Sequence, residues 1–195
     1  MLASIHPLGE RSRNQRFGIT VTAHVFGATV GGVALGSALG LIGAGLAGVI
    51  DPSDAVVATL VALVCAATAL WEFARLPFPT IRRQVDEDWL HRYRGWVYGG
   101  AFGVQLGLGV VTIVTTATVY ATFALALFTG SAAAGAVVGG TFGLVRGLTV
   151  LRVAHVRDPA TLRDVHRRVQ RWAGPVRRVG MALLLGAALV AATGA

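Results

Sequence analysis

The sequence predicts an all-α, polytopic membrane protein with five transmembrane helices, Gly-rich packing faces and a cytoplasmic amphipathic helix. Three observations predict this fold. First, 54% of the 195 residues are hydrophobic and only 13% are charged, which is a membrane composition. Second, the apolar residues form runs long enough to cross a bilayer, where helices are expected because lipid offers free backbone groups no partner. Third, the arginines lie almost entirely between those runs.

Five apolar runs follow one another along a single membrane domain, residues 1–195. The runs cover about residues 17–50, 55–75, 96–128, 132–151 and 179–193, and the polar segments are 1–16, 76–95 and 152–178. Two short connections, Asp51–Asp54 and Thr129–Ser131, separate the first run from the second and the third from the fourth. Each run is therefore expected to form one crossing.

The distribution of arginine predicts the orientation. Of the 17 basic residues, all arginines, three precede the first run, five lie between Arg75 and Arg94, and eight between Arg152 and Arg178. Because basic residues favour the cytoplasmic side, five crossings of the inner (cell) membrane place the N-terminus in the cytoplasm and the C-terminus outside. A cleaved signal peptide is the alternative for residues 11–48, but its apolar region exceeds the usual ~7–15 residues.

The third run, Trp96–Phe128, is longer than one crossing needs. A straight helix over it would extend about 50 Å, against a hydrocarbon core of about 30 Å. Tilt with an interfacial extension could absorb the excess, and so could a break near Gly107–Thr112, a feature that often forms transport sites.

Polar side chains in the third run form a candidate path for a small solute or ion. Four of them are threonines spaced three or four residues apart, on one helix face. The alternative is that the threonines bond back to carbonyls of their own helix. The candidate path consists of Gln105, Thr112, Thr115, Thr118 and Thr122.

Glycine recurs every four residues in three runs. Such ladders give a helix a flat face on which another backbone can lie close, so we expect helix packing within the chain. Homodimerisation and docking to another membrane subunit are the alternatives. Ladders of this kind in the first run include Gly27/Gly31 and Gly32/Gly36/Gly40, and those of the third and fourth runs are Gly99, Gly103, Gly107, Gly135, Gly139, Gly143 and Gly147.

Arg146 is the single arginine inside an apolar run, where insertion is costly enough to suggest a function. It lies about 9 Å along the helix axis from Arg152, so its guanidinium could reach the cytoplasmic interface. Glu72 is the acidic residue at comparable depth, and the sequence suggests an Arg146–Glu72 ion pair. His24 is expected to be a hydrogen-bonded packing residue rather than a ligand.

An amphipathic helix is predicted after the fourth run. Asp158 suits the N-cap and Pro159 the first helical position, while Gly174-Pro175 predicts its end. We expect it to lie in the headgroup region with its arginines toward anionic lipid. A docking helix for a partner protein is the alternative, and nucleic acid is not an expected partner. Its apolar face carries Leu162, Val165, Val169 and Trp172.

Residues that would carry catalysis or hold a cofactor are hard to find in the sequence. Cys65 is the single cysteine, so no disulfide can form within one chain. The five histidines lack metal-site spacing, and no Gly-rich phosphate loop follows a strand. We therefore expect no enzymatic activity, no cofactor and no metal.

The order of features resembles the transmembrane part of the DsbD and CcdA family, the thiol-disulfide carriers of cytochrome c biogenesis. Gly100-Ala101-Phe102-Gly103, residues 139–148 and Val179–Thr193 are similar to helices of that family's second repeat, and His24–Leu46 and Ala55–Leu70 to helices of its first. The family's first helix and both of its Pro-Cys elements are missing. The resemblance therefore implies the scaffold without its redox chemistry.

Three functional hypotheses follow. The first is a transporter-like protein for a small solute or ion on that scaffold. The second is a structural or accessory subunit of a larger membrane complex. The third, an electron-transfer protein, would depend on a partner's cysteines.

Overall fold

The computed structural model describes residues 5–76, 92–109, 116–156 and 158–193, and its regular structure over these ranges is entirely helical. A short helix precedes the first apolar run, and a 3₁₀ turn, Thr149–Val153, directly follows the helix Ala132–Leu148. The helices are α1 Pro7–Ser12, α2 Phe17–Ile50, α3 Asp54–Ala74, α4 Gly95–Leu108, α5 Thr118–Phe128, α6 Ala132–Leu148 and α7 Pro159–Thr193.

Four of the described helical stretches are long and apolar enough to cross a membrane. They are Phe17–Ile50, Asp54–Ala74, Ala132–Val153 and Arg163–Thr193, and Thr118–Phe128 is a shorter apolar helix. The all-α class and several potential membrane helices are thus present, as the sequence predicts.

Helix α2 is the axis of the bundle, with α4 and α6 packed on it. Its partner on one side is α4, where Gly27 faces Gly100 and Gly31 faces Val104. The rising numbers on both helices mean that α2 and α4 run in the same direction. A Cβ atom at Gly27 would overlap the carbonyl oxygen of Gly100. Glycine is therefore required here by the close approach of two backbones.

Helix α6 lies against α2 in the opposite direction. Gly32 meets Gly139, and Gly36 meets Gly135, again with each glycine against the carbonyl oxygen of the other. All seven ladder glycines of the third and fourth runs are buried, and each faces α2. The ladders hold helices of one chain together, which is the arrangement expected from lipid's weak hydrophobic drive between helices.

The third apolar run is two helices rather than one. Both α4 and α5 contact α2, since Gly31 faces Val104 and Gly43 faces Leu127. Along α2 these two contacts are 12 residues apart, which is about 18 Å of helix. In the third run they are 23 residues apart, which would be about 35 Å as a continuous helix. The run is broken after Leu108, which absorbs its excess length.

Helix α7 corrects one prediction. It continues through Gly174-Pro175 to Thr193, so the amphipathic segment and the last apolar run form one helix of 35 residues. Proline removes one backbone donor, and helices in membranes tolerate this where neighbouring groups satisfy the freed carbonyl. The N-terminal prediction is confirmed, because α7 begins at Pro159 and Asp158 accepts a hydrogen bond from Thr161 N–H at 2.8 Å.

The second half of α7 packs against α3. Small and apolar side chains from three helices form this contact, namely Cys65 and Ala69 of α3, Ala121 of α5, and Leu184 and Ala188 of α7. Cys65 is a free, fully buried thiol within it. The glycine-packed unit of α2, α4 and α6 is thus joined to α3 and α7 through α5.

A candidate functional site at a broken helix

The break begins at Gly109, which directly follows α4. Its φ of 66° lies in the left-handed region that glycine adopts at little cost. A Cβ atom there would also meet the ring of Phe123, which stacks edge-on with Phe142 at 5.7 Å. Backbone conformation and the aromatic pair together explain why glycine ends this helix.

Arg146 on α6 binds the C-terminal end of α4. Its guanidinium donates to the carbonyl oxygen of Leu106 at 3.2 Å and lies 5.1 Å from the centre of the Phe142 ring. A cation is favourable at this position because the last carbonyls of a helix carry partial negative charge. The aromatic ring adds a cation–π contact.

Glu72 on α3 binds the start of α5. The side chain is buried, and its Oε1 accepts a hydrogen bond from Ala117 N–H at 2.6 Å. Ala117 is the N-cap residue of α5, so the carboxylate meets the end of the helix that carries partial positive charge. Glu72 therefore supplies the capping hydrogen bond at Ala117, whose own methyl side chain cannot accept one.

Glu72 and Arg146 thus stabilise opposite sides of one break. Their predicted ion pair is not present: in the described part of the chain, salt bridges join Arg13 to Glu10 and Arg167 to Asp164. Glu72 and Arg146 each bind a helix end instead, because an unpaired backbone group is itself a strong partner for a buried charge. Chemically, this arrangement fixes the positions of α4 and α5 relative to α3 and α6.

The predicted polar path is only partly described. Thr112 and Thr115 lie outside the described residues. Gln105 is half-buried, Thr118 is exposed, and the Thr122 hydroxyl donates to the Thr118 carbonyl at 2.9 Å. For Thr122 the alternative interpretation, a bond back to its own helix, is confirmed.

A second buried polar cluster joins α1, α2 and α4, and its centre is Glu10. One carboxylate oxygen accepts from Tyr98 OH and Arg13, both at 2.6 Å, and the other accepts from Thr20 Oγ1 at 2.6 Å. Glu10, Thr20 and Tyr98 are each fully buried. Three donors to one carboxylate balance the cost of burying its charge.

The surroundings of this cluster extend the same contacts. His24 Nδ1 lies 3.3 Å from the Gly99 carbonyl, which confirms its role as a hydrogen-bonded packing residue. His6 is the N-cap of α1, and its Nδ1 accepts from Gly9 N–H. Burial and the nearby charge of Arg13 lower the pKa of His6, which favours the neutral ring that can accept this bond.

Glu10 was not predicted from the sequence. The sequence offered only a weak signal for a buried carboxylate there. Glu10 is the single acidic residue of the arginine-bearing segment before the first run, and Thr20 follows ten positions later. Nothing in the spacing identifies Tyr98, 88 residues away, as its partner.

We expect Tyr98→Phe to lower the free energy of unfolding by about 1.5–3 kcal/mol, the usual contribution of a hydrogen bond to a charged group. The ring stays and keeps its packing, so the change isolates the hydroxyl. Thermal melting in mild detergent measures the effect. Thr59→Val, which removes an exposed hydroxyl from α3, is the control and should change stability little. Equal melting of Tyr98→Phe and the parent would show that the hydrogen bond from Tyr98 to Glu10 contributes no stability.

The predicted apolar face of the amphipathic segment is described at three positions. Val165 and Val169 are half-buried and Trp172 is 60% exposed, whereas the Leu162 side chain lies outside the description. Val165 packs against the core cluster that contains Tyr98 and Phe102. The face is therefore in contact with the bundle rather than separate from it.

Metal-ligating side chains are scattered. Among the residues that the structure describes, no three His, Cys, Asp or Glu side chains come close enough together to hold a metal ion.

Comparison with known proteins finds a consistent set of relatives. The chain is 32% identical to the methylamine utilization protein MauF of Paracoccus versutus over 90% of its own length and 61% of that protein's. It is 30% identical to MauF of Methylophilus methylotrophus over 97% of its length and 66% of that protein's. For MauF of Paracoccus denitrificans the identity is 38%, over 67% of this chain and 47% of the relative. The chain thus spans about three fifths of these relatives' length.

These relatives correct the resemblance to the DsbD and CcdA family, because they are MauF proteins. No protein-family model matches the chain, and no solved structure matches it significantly. The features behind the earlier resemblance were apolar, Gly-rich helices, which many membrane proteins share. What the comparisons establish is similarity to the methylamine utilization protein MauF over almost the whole of this chain.

Proposed function

We propose that this chain is a non-enzymatic, multi-pass inner-membrane protein with an accessory role in methylamine utilization. Its similarity to MauF over 97% of its length carries the proposal. Four described helices long and apolar enough to span a bilayer support the location. The arginine distribution supports a cytoplasmic N-terminus and a C-terminus outside, with the broken helix counted as one of five crossings.

An accessory role agrees better with the bundle than transport does. The buried carboxylates Glu10 and Glu72 are both held by donors of the protein itself. The described threonine at position 122 turns its hydroxyl to its own helix. These groups stabilise helix positions, as expected of a protein that presents a fixed surface to other subunits.

Partner subunits would meet the outer faces of the bundle. The glycine faces are occupied by α2, α4 and α6, so docking falls to exposed apolar side chains of α3 and α7. Leu63, Leu70 and Phe73 are 60–75% exposed, and Leu183 and Leu189 are 70% and 67% exposed. These faces meet lipid, further copies of the chain or other membrane subunits.

The proposal is tested by deleting the gene in a host that grows on methylamine. We expect growth with methylamine to stop and growth on an unrelated carbon and nitrogen source to continue, with rescue by the full-length gene. Undiminished growth of the deletion strain on methylamine would contradict the proposal.

Uptake of labelled methylamine separates the accessory role from transport. An accessory protein leaves initial uptake unchanged in the deletion strain while methylamine oxidation falls. Loss of uptake with intact oxidation in broken cells would assign a transport role instead.

A further inference from the structure

A cavity of about 380 Å³ lies between the 3₁₀ turn after α6 and the first half of α7. Its volume falls in the range of small-ligand pockets, about 300–1,000 Å³. Arg152 and His155 line it from the α6 side, and the α7 side is lined by Val165, Arg168, Val169, Trp172 and Val176. Its lining shares no residue with the broken helix or with the Glu10 cluster.

The charged part of this cavity favours an anion. Arg152 and Arg168 both contribute to the lining, His155 adds a ring that can donate a hydrogen bond, and no acidic residue is among the described lining residues. Asp164, on the same helix, is paired with Arg167 instead. Arginine forks suit phosphate oxygens in particular.

The remainder of the cavity lining is apolar. Val165 lines the cavity and packs against the core cluster that contains Val150, Val153 and Val156. At the other end, Trp172 and Val176 are about 60% exposed, and the apolar run of α7 begins three residues after Val176. An occupant would thus have its charge beside the arginines and an apolar part directed along α7 toward the hydrocarbon. Tryptophan is typical of this depth.

We propose that this cavity is a specific binding site for an anionic phospholipid. The phosphodiester is held by Arg152 and Arg168, and an acyl chain runs along Val169, Trp172 and Val176. This goes beyond general attraction between basic residues and a membrane surface, because the cavity combines two arginines from different elements with an apolar exit. It is also independent of the role in methylamine utilization.

The test uses the full chain in phosphatidylcholine nanodiscs that contain increasing fractions of phosphatidylglycerol with brominated acyl chains. Bromine quenches the fluorescence of a nearby tryptophan, and a Trp172→Phe variant identifies the part of the signal that belongs to Trp172. We expect Trp172 quenching to saturate at low phosphatidylglycerol fractions. The R152Q/R168Q variant should require about tenfold more phosphatidylglycerol, the loss typical of a charge-assisted contact.

The matched control is R163Q/R171Q, which removes the same charge from exposed positions of α7 that do not line the cavity. Equal losses in the two double variants would overturn the proposal in favour of unspecific surface attraction. The proposal would also be overturned if brominated phosphatidylcholine, at the same fractions, quenched Trp172 as much as brominated phosphatidylglycerol does. Competition by soluble glycerol phosphate at similar concentrations would overturn it too, and would assign a site for free phosphate compounds. If R152Q/R168Q has a lower melting temperature than the parent, the single change Arg168→Gln, at an exposed position, is compared with Arg163→Gln instead.

Discussion

Replacing Gly36 by alanine is expected to lower the free energy of unfolding by about 2–3 kcal/mol, the cost of overpacking a tight contact. A Cβ atom at this position would overlap the carbonyl oxygen of Gly135, which is backbone and cannot turn aside. The two helices must then separate, and that weakens the neighbouring contact of Gly32 with Gly139. In detergent the melting temperature should fall by about 5–10 °C for a chain of this size.

Gly45→Ala and Gly48→Ala are the matched controls, because they lie on the same helix with no atom near the new methyl group. Neither should lower the melting temperature, and each can raise it slightly since alanine is the better helix former. If Gly36→Ala and the two controls melt alike, α2 and α6 do not pack backbone to backbone. The Gly36→Leu variant extends the series and should fail to assemble.

The second large effect is expected at the broken helix. Glu72→Ala leaves the N–H of Ala117 without its acceptor in an apolar environment, which costs about 1–3 kcal/mol. Glu72→Gln keeps an acceptor and should lose less. Arg146→Gln removes the cation from the end of α4 and is expected to destabilise by a similar amount. Melting temperatures in detergent rank these variants.

A charge swap distinguishes two helix caps from an ion pair. The double variant E72R/R146E places an anion at the C-terminal end of α4 and a cation at the start of α5, both opposed to the helix dipoles. We expect the double variant to lose at least as much stability as Glu72→Arg and Arg146→Glu lose together. Recovery of stability in the double variant would instead mean that the two side chains bind each other.

The sequence predicted the helix faces better than their partners. Glycine spacing alone marks the faces of α4 and α6, because every fourth residue of a helix lies on one side. The spacing does not predict that Gly32 contacts Gly139 while Gly27 contacts Gly100, because glycine has no side chain that would make one partner helix more favourable than another. That pairing depends on helix directions, which only the assembled bundle defines.

The break in the third run was half predictable. Excess length predicted either tilt with an interfacial extension or a break near Gly107–Thr112, and α4 ends within that range at Leu108. Glu72 and Arg146 were predicted to bind each other, but their partners are backbone groups at helix ends, and those ends were not known. At Gly174-Pro175 the sequence predicted a helix end that is not present. In a soluble protein a helix would usually stop at such a pair, whereas α7 continues through it into the last apolar run.

The packing of α2 against α6 within one chain is tested most directly by a disulfide between positions 33 and 140. A Cβ atom at Gly140 would lie 2.9 Å from Val33 Cγ2, a separation close to that of a sulfur from its partner's Cβ in a disulfide. The V33C/G140C variant carries Cys65→Ser and is prepared separately as light and ¹⁵N-labelled protein. The two preparations are mixed in detergent, reconstituted together into membranes and then oxidised. We predict linked peptides that are wholly light or wholly heavy, and none for the control pair V49C/G140C. Mixed light–heavy peptides would show that these glycine faces join two copies of the chain, and would contradict a bundle built around α2.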